Sequence, residues 1–319
     1  MPRPRAQLVS LAATPYYHCI SRCVRRAFLC GQDPLTGSSF DHRKQWLADR
    51  MQLLSQIFAV DVCAYGLMSN HFHAVLHIDR DRAESWSEEE VAKRYTKLFR
   101  HTVKQARQLP PEQWQRKVKQ WRKRLWNLSW FMRCLNESIA RRANHEDRCT
   151  GRFWEGRFRS QALLDTGALL TCMAYVDLNP IRAGITTALE ESEFTSIRQR
   201  LLAAARSQGA CKQLLPFVDQ AVATEHSIPM QFGDYVELLR WTAALVGAEP
   251  SGAPLPANAT LHKLGLDSTG FVGTICNYAR RFFTMVGQVH RIDAESRRRG
   301  YKRRPGIRGA QQLYRTSAA

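Results

Sequence analysis

Apolar positions in the N-terminal half of the chain fall into two periods, one of about two residues and one of about 3.6, and their alternation predicts the elements. Tyr16 to Cys23, introduced by Pro15, is rich in β-branched and aromatic residues and predicts a first strand. Asp41 is placed to cap a helix running to about Ala59, with Trp46, Leu47, Met51, Leu54, Ile57 and Phe58 as its apolar stripe. Val60 to Leu67 predicts a second strand, and Ser69-Asn70 a tight turn into a third, so that these two form an antiparallel hairpin. In that third strand Phe72, Ala74, Leu76 and Ile78 share the face that packs on the core, while His71, His73, Val75 and His77 share the other.

From about Asp79 to Asn127 the pattern is helical and strongly basic, with Trp114, Trp121 and Trp126 interleaved among the cations. Two readings stand for this insert of about 80–127. It is either a solvated helical face seated on the core by its tryptophans, or a phosphate-contacting surface with an aromatic available for base stacking. A helix over Trp130 to Asn144, a strand near Phe158 to Leu163 and a helix from Asp165 or Thr166 to Leu178, ended by Asn179-Pro180, complete the pattern. The order β, α, β, β, insert, α, β, α predicts an α+β fold, an antiparallel sheet with helices on one face.

The domain organisation read from this pattern is a catalytic-sized domain over 1–186, a helical C-terminal region over 187–290 and a basic tail over 291–319. Candidate helices in the second region cover Phe194 to Ala205, Gln231 to Val246 and Gly270 to Val286, with Gly252 to Ala257 as a Pro/Ala-rich linker. The run Arg297 to Pro305 has the composition of a segment disordered until it meets a polyanion.

Charge narrows the partners. Forty-seven Lys and Arg against 28 Asp and Glu give a formal charge of +19 over 319 residues, a field that favours nucleic acid. A membrane-surface role lacks support, since there is no long apolar span and no lipidation motif. The start of the chain has basic residues but no apolar run suited to a signal peptide, so the expected location is cytoplasmic, nucleoid-associated when bound to DNA. The nine cysteines are scattered and never spaced C-x-x-C, which favours reduced thiols over a zinc knuckle or a disulfide framework. No P-loop sequence is present.

Two sets of residues carry candidate chemistry. His71 and His73, one residue apart on a strand face, are placed to share a divalent cation, although the same spacing suits a polar strand face that simply carries histidines. Tyr175 lies at the edge of the helical stripe Leu169, Cys172, Met173 and Val176, with Asn179 one turn on. No other tyrosine has a carboxylate, carboxamide or imidazole at that spacing. The plain alternative is a boundary tyrosine with its hydroxyl in water and a helix-ending asparagine.

His71-Phe72-His73 after Gly66 to Asn70, together with Tyr175-Val176-Asp177-Leu178-Asn179-Pro180-Ile181-Arg182-Ala183-Gly184, resemble the single-tyrosine transposases of the HUH nuclease superfamily. The likeness is closer to the REP-associated tyrosine transposases, relatives of the insertion sequence 200-like enzymes. Tyr17-His18 and the segment Gly151 to Phe158 extend it over about Pro15 to Gly184. The resemblance implies a ferredoxin-like HUH core. It makes His71, His73 and Asn179 ligands of Mg²⁺ or Mn²⁺, and Tyr175 a nucleophile that leaves a 5′-phosphotyrosine. Many relatives have Gln where Asn179 stands, and Asn has the shorter reach. The implied partner is single-stranded or hairpin DNA, bound by a monomer or a homodimer. Arg22, Arg25, Arg26, Arg152, Arg157, Arg159 and Arg182 are candidate DNA contacts.

Three rival functions remain at this stage. A replication-initiator or relaxase-type HUH nuclease shares the histidine chemistry, but a two-tyrosine version needs a second tyrosine where Thr171 and Asn179 stand. A non-catalytic DNA-binding regulator explains the charge without needing Tyr175. A metal hydrolase that activates water forms no covalent adduct.

Overall fold

The protein is described from a computed structural model covering residues 4–24, 29–31, 37–206, 211, 213–224, 226–246 and 258–315. Arg25, Arg26 and the linker at 252–257 lie outside the described residues.

A short helix α1 (Arg5–Leu8) precedes β1 (Tyr16–Arg22), α2 (His42–Ile57), β2 (Val60–Leu67) and β3 (His71–Ile78). The insert forms α3 (Arg80–Ser85), α4 (Glu88–Ala106) and α5 (Pro111–Leu125). Then come α6 (Leu128–Glu146), β4 (Arg159–Leu163) and α7 (Thr166–Asp177), whose N-cap Asp165 accepts from the Ala168 N–H. Beyond them lie α8 (Asn179–Arg182), α9 (Ser196–Ala205), the paired β5 (Phe217–Val218) and β6 (Ile228–Pro229), α10 (Phe232–Val246), α11 (Ala259–Lys263), α12 (Ser268–Arg281), β7 (Met285–Val286), α13 (Val289–Arg298) and α14 (Ile307–Leu313).

The main sheet runs β2-β3-β1-β4-β7. Its first four strands pair antiparallel, and β7 adds to β4 in parallel. The unit β1-α2-β2-β3-α6-β4 with this strand order is a ferredoxin-like α+β core. Its two helices share one face. Asn136 of α6 donates to Ser21 Oγ at 2.8 Å, and Ser21 stands opposite Phe72 in the β1–β3 register. Phe131 of α6 meets Phe58, just past the end of α2, edge to face at 5.5 Å.

Helices on one face describes these two; the histidine face is covered as well, by α7. Gly66 stands opposite His73, and a Cβ added there would lie 2.9 Å from the Val176 carbonyl oxygen, so α7 approaches the sheet at a distance only glycine allows. Every residue from Gly167 to Asp177 is buried, because α10 and α12 cover the outer side of α7. A helix enclosed in this way has no need of a polar stripe.

The boundary expected at 186 is crossed by the sheet itself, since β7 pairs with β4. The expectation of a disordered tail is also corrected over 291–315. Two buried residues anchor it: the Glu295 carboxylate accepts from Arg298 Nε at 2.6 Å and from Arg299 Nε at 2.6 Å, and Arg299 Nη2 donates to the Leu8 carbonyl at 3.0 Å. The Phe282 ring packs against Gly309, where a Cβ would lie 2.9 Å from it. The basic run hid its own counterions, because Glu295 sits three and four residues before the arginines it holds.

In the insert, α4 and α5 pack as a helical hairpin. Tyr95 stacks on Trp121 at 4.9 Å, Trp114 meets Trp121 edge to face at 5.5 Å, and Trp121 is fully buried. Lys93, Lys97 and Lys104 of α4 and Lys117, Lys119 and Lys123 of α5 are exposed, with no ion pair among the described residues. The tryptophans thus seat the hairpin while its lysines face water. No helix among the described residues is long and apolar enough to cross a membrane.

Candidate active site

Register alone assembles the first half of the site. In the β1–β3 pairing Ile20 stands opposite His73 and Arg22 opposite His71, and pleating puts all four on the face that α7 covers. The two imidazoles lie 4.9 Å apart between ring centroids. His71 Nδ1 lies 2.5 Å from Asn70 Oδ1, and His73 Nδ1 lies 2.8 Å from His18 Nε2. Burial pushes the His71 pKa down to about 4, with Arg22 adding to the effect. His73 is driven well below the usual histidine value, again mainly by burial, with His18 and His71 contributing. Both rings are therefore neutral near pH 7, the form that binds a metal.

The second half comes from α7. Tyr175 is only 7% exposed, which corrects the reading of a boundary tyrosine: the ring is enclosed by the fold and the residue lines a cavity. Its ring stacks on Tyr278 of α12 at 4.4 Å and stands perpendicular to His73 at 5.5 Å. The Arg182 guanidinium lies 4.7 Å from the Tyr175 ring centroid. Burial raises the Tyr175 pKa, and Arg182 opposes the rise by favouring the phenolate.

A cavity of about 330 Å³ opens onto these groups, lined by His71, His73, Tyr175, Arg22, Arg157 and Arg159 together with Glu155 and neighbours from β1 and α12. Three of the seven expected DNA-contact arginines thus share one cavity with both histidines and the tyrosine. Arg182 acts from beside it, donating to Asn179 Oδ1 at 3.4 Å and to the Cys276 carbonyl at 3.2 Å. Arg152 is exposed and outside the lining. Asn179 is also outside the lining: it is buried in α8 with Oδ1 on Arg182, and its Nδ2 has no partner among the described residues.

Among the described residues no group of three His, Cys, Asp or Glu side chains is placed to hold a metal ion. An ion held by His71 and His73 would therefore need further ligands of another kind, such as a carboxamide, water or substrate oxygen. Glu155, which is exposed, is the carboxylate among the residues that line the cavity.

Sequence reasoning gave no role to His18, Gln161, Glu155 or Tyr278. His18 was reachable, because β1 alternation puts it on the face of Ile20 and Arg22. Tyr278 was not, since it is about a hundred residues from Tyr175 and nothing local marks it.

Comparison with known proteins adds a single point of contact. No family model matches the chain, and no curated protein matches it. Among solved structures it is similar to a REP-associated tyrosine transposase bound to a REP hairpin, at 12% identity and a TM-score of 0.38, over 73% of this chain and 99% of that one.

Proposed function

We propose that the protein is a metal-dependent, single-tyrosine DNA nuclease and strand transferase of the HUH type, acting on single-stranded DNA associated with hairpins. The observation that carries this reading is the convergence of His71, His73 and Tyr175 on one arginine-lined cavity. The resemblance of these same segments to the REP-associated tyrosine transposases supports it.

The side chains fit a divalent cation. His73 Nε2 is buried with no hydrogen-bond partner among the described residues, and both imidazoles are neutral. His71 and His73 would hold Mg²⁺ or Mn²⁺, with Asn179 or Glu155 as the third protein ligand. When bound, the cation supplies Lewis-acid polarisation of the scissile phosphate.

Arg22, Arg157 and Arg159 bind and orient the strand through its phosphates. Arg182 favours the Tyr175 phenolate, whose oxygen attacks phosphorus. The P–O bond to the 3′ oxygen breaks as the Tyr175–phosphate bond forms, giving a 5′-phosphotyrosine; the phenol proton leaves to solvent in the cavity and the leaving 3′ oxygen takes one up, becoming a 3′-hydroxyl. One phosphodiester replaces another, so the same 3′-hydroxyl, or another, reverses the step without ATP.

The test is a denaturing gel with labelled hairpin oligonucleotides drawn from the DNA flanking the gene, with Mg²⁺ or Mn²⁺. The reading predicts an SDS-resistant adduct that needs the metal and is lost in Tyr175→Phe. Tight binding without an adduct in either metal would favour the DNA-binding regulator.

A further inference from the structure

Gln161 and His18 stand opposite each other in the β1–β4 register, both buried, on the face that carries His73. Gln161 Nε2 donates to the Phe282 carbonyl at 2.7 Å. A carboxamide has one donor end and one acceptor end, so this bond turns Oε1 toward His18. That oxygen lies 2.6 Å from His18 Nδ1 and can only accept, so His18 carries its hydrogen on Nδ1. The other nitrogen of a neutral imidazole is an acceptor, and His18 Nε2 lies 2.8 Å from His73 Nδ1. His73 therefore also carries its hydrogen on Nδ1, and its lone pair is left on Nε2. Reversing the amide would set Oε1 against the Phe282 carbonyl, acceptor against acceptor, so the chain has one consistent polarity.

We propose that His18 and Gln161 are positioning residues that hold His73 in its Nδ1–H tautomer and aim the Nε2 lone pair at the cation site. The proposal rests on the reading of His71 and His73 as cation ligands. The orphaned, buried Nε2 of His73 is where such a chain has to end if it serves a ligand rather than satisfying itself. The two ligands are set from different distances. His71 is oriented by its sequence neighbour Asn70, whereas His73 is oriented through two strands by a carbonyl at the end of α12. The C-terminal region thereby fixes the electronic state of a ligand on β3.

The experiment uses the full chain, with ¹⁵N-labelled histidine. Long-range ¹H–¹⁵N spectra of the metal-free wild type, assigned with His73→Gln, report which His73 nitrogen bears the hydrogen, and Mn²⁺ titration calorimetry reports affinity. The expected result is a single Nδ1–H tautomer in the wild type. Gln161→Met, similar in volume but without either hydrogen bond, then mixes the tautomers and weakens Mn²⁺ binding by about 10–100-fold. A wild-type His73 protonated on Nε2, or Mn²⁺ affinity unchanged in a folded Gln161→Met protein, overturns the proposal. A wild type that binds no Mn²⁺ defeats the cation reading instead, and its spectrum still decides the tautomer without any variant.

Discussion

The histidine face of the sheet and the α4–α5 hairpin both carry groups suited to a polyanion, yet they are built in opposite ways. On the sheet face, polar groups are buried and wired: Gln161, His18 and His73 form one hydrogen-bonded chain, and Tyr175 is packed between His73 and Tyr278. On the hairpin, apolar groups make the interior and six lysines stand in water without ion pairs among the described residues. A buried polar chain fails as a unit when one member is lost, because the others are left unsatisfied. A solvated cationic face changes by increments, and salt screens it. The first arrangement suits chemistry at one phosphate, and the second suits non-specific hold on a strand.

The largest contrast comes from single substitutions on the sheet face. His73→Ala is expected to abolish Mn²⁺ binding by calorimetry and adduct formation with it, while hairpin DNA binding in EDTA persists. On the hairpin, exchanging Lys97, Lys104, Lys119 and Lys123 together for Gln should weaken DNA binding measured by anisotropy. The slope of log affinity against log salt flattens by about 3 if each lysine neutralises one phosphate. Adduct yield at saturating protein stays at the wild-type level. A slope unchanged by the fourfold variant would remove the hairpin from the DNA surface.

A finer effect separates the third-ligand candidates. If Asn179 turns its oxygen from Arg182 to the cation, Asn179→Ala weakens Mn²⁺ binding and Glu155→Ala does not; the reverse pattern assigns the ligand to Glu155. The smallest effect is on stability against pH in the metal-free protein. His18 and His71 have pKa values near 4 in the fold against 6.5 unfolded, and His73 is lowered too. The unfolded chain therefore binds more protons, and the stability these rings contribute is complete above pH 6.5 and lost as pH falls toward 4. Buried Asp177, raised to about 6, works in the opposite sense between about pH 4 and 6, but it is one group against three. The melting temperature should fall by several degrees from pH 7 to pH 5 by calorimetry, and less so in His18→Phe.

The strands and the order of the core were legible because alternation and turn residues are local signals. Val60–Leu67 and His71–Ile78 stand as the pattern predicts, and Gly66 has the reason that α7 demands. His71, His73 and Tyr175, which line one cavity, were singled out through motif and spacing. The partners that decide their state were not, since Phe282, Tyr278 and Gln161 reach the site through tertiary contacts that no local period encodes. The tail was misread for a related reason: counting cations along a run cannot show that Glu295 is buried beneath two of them.

The central claim is that Tyr175 is the nucleophile, and peptide mapping tests it most directly. Adduct formed with a hairpin oligonucleotide and Mn²⁺ is digested with protease and nuclease and sequenced by mass spectrometry. The account predicts a nucleotide 5′-phosphate on Tyr175 and on no other tyrosine. A nucleotide on Tyr278 or another residue, or cleaved DNA with free 5′-phosphate and no modified peptide, would contradict it.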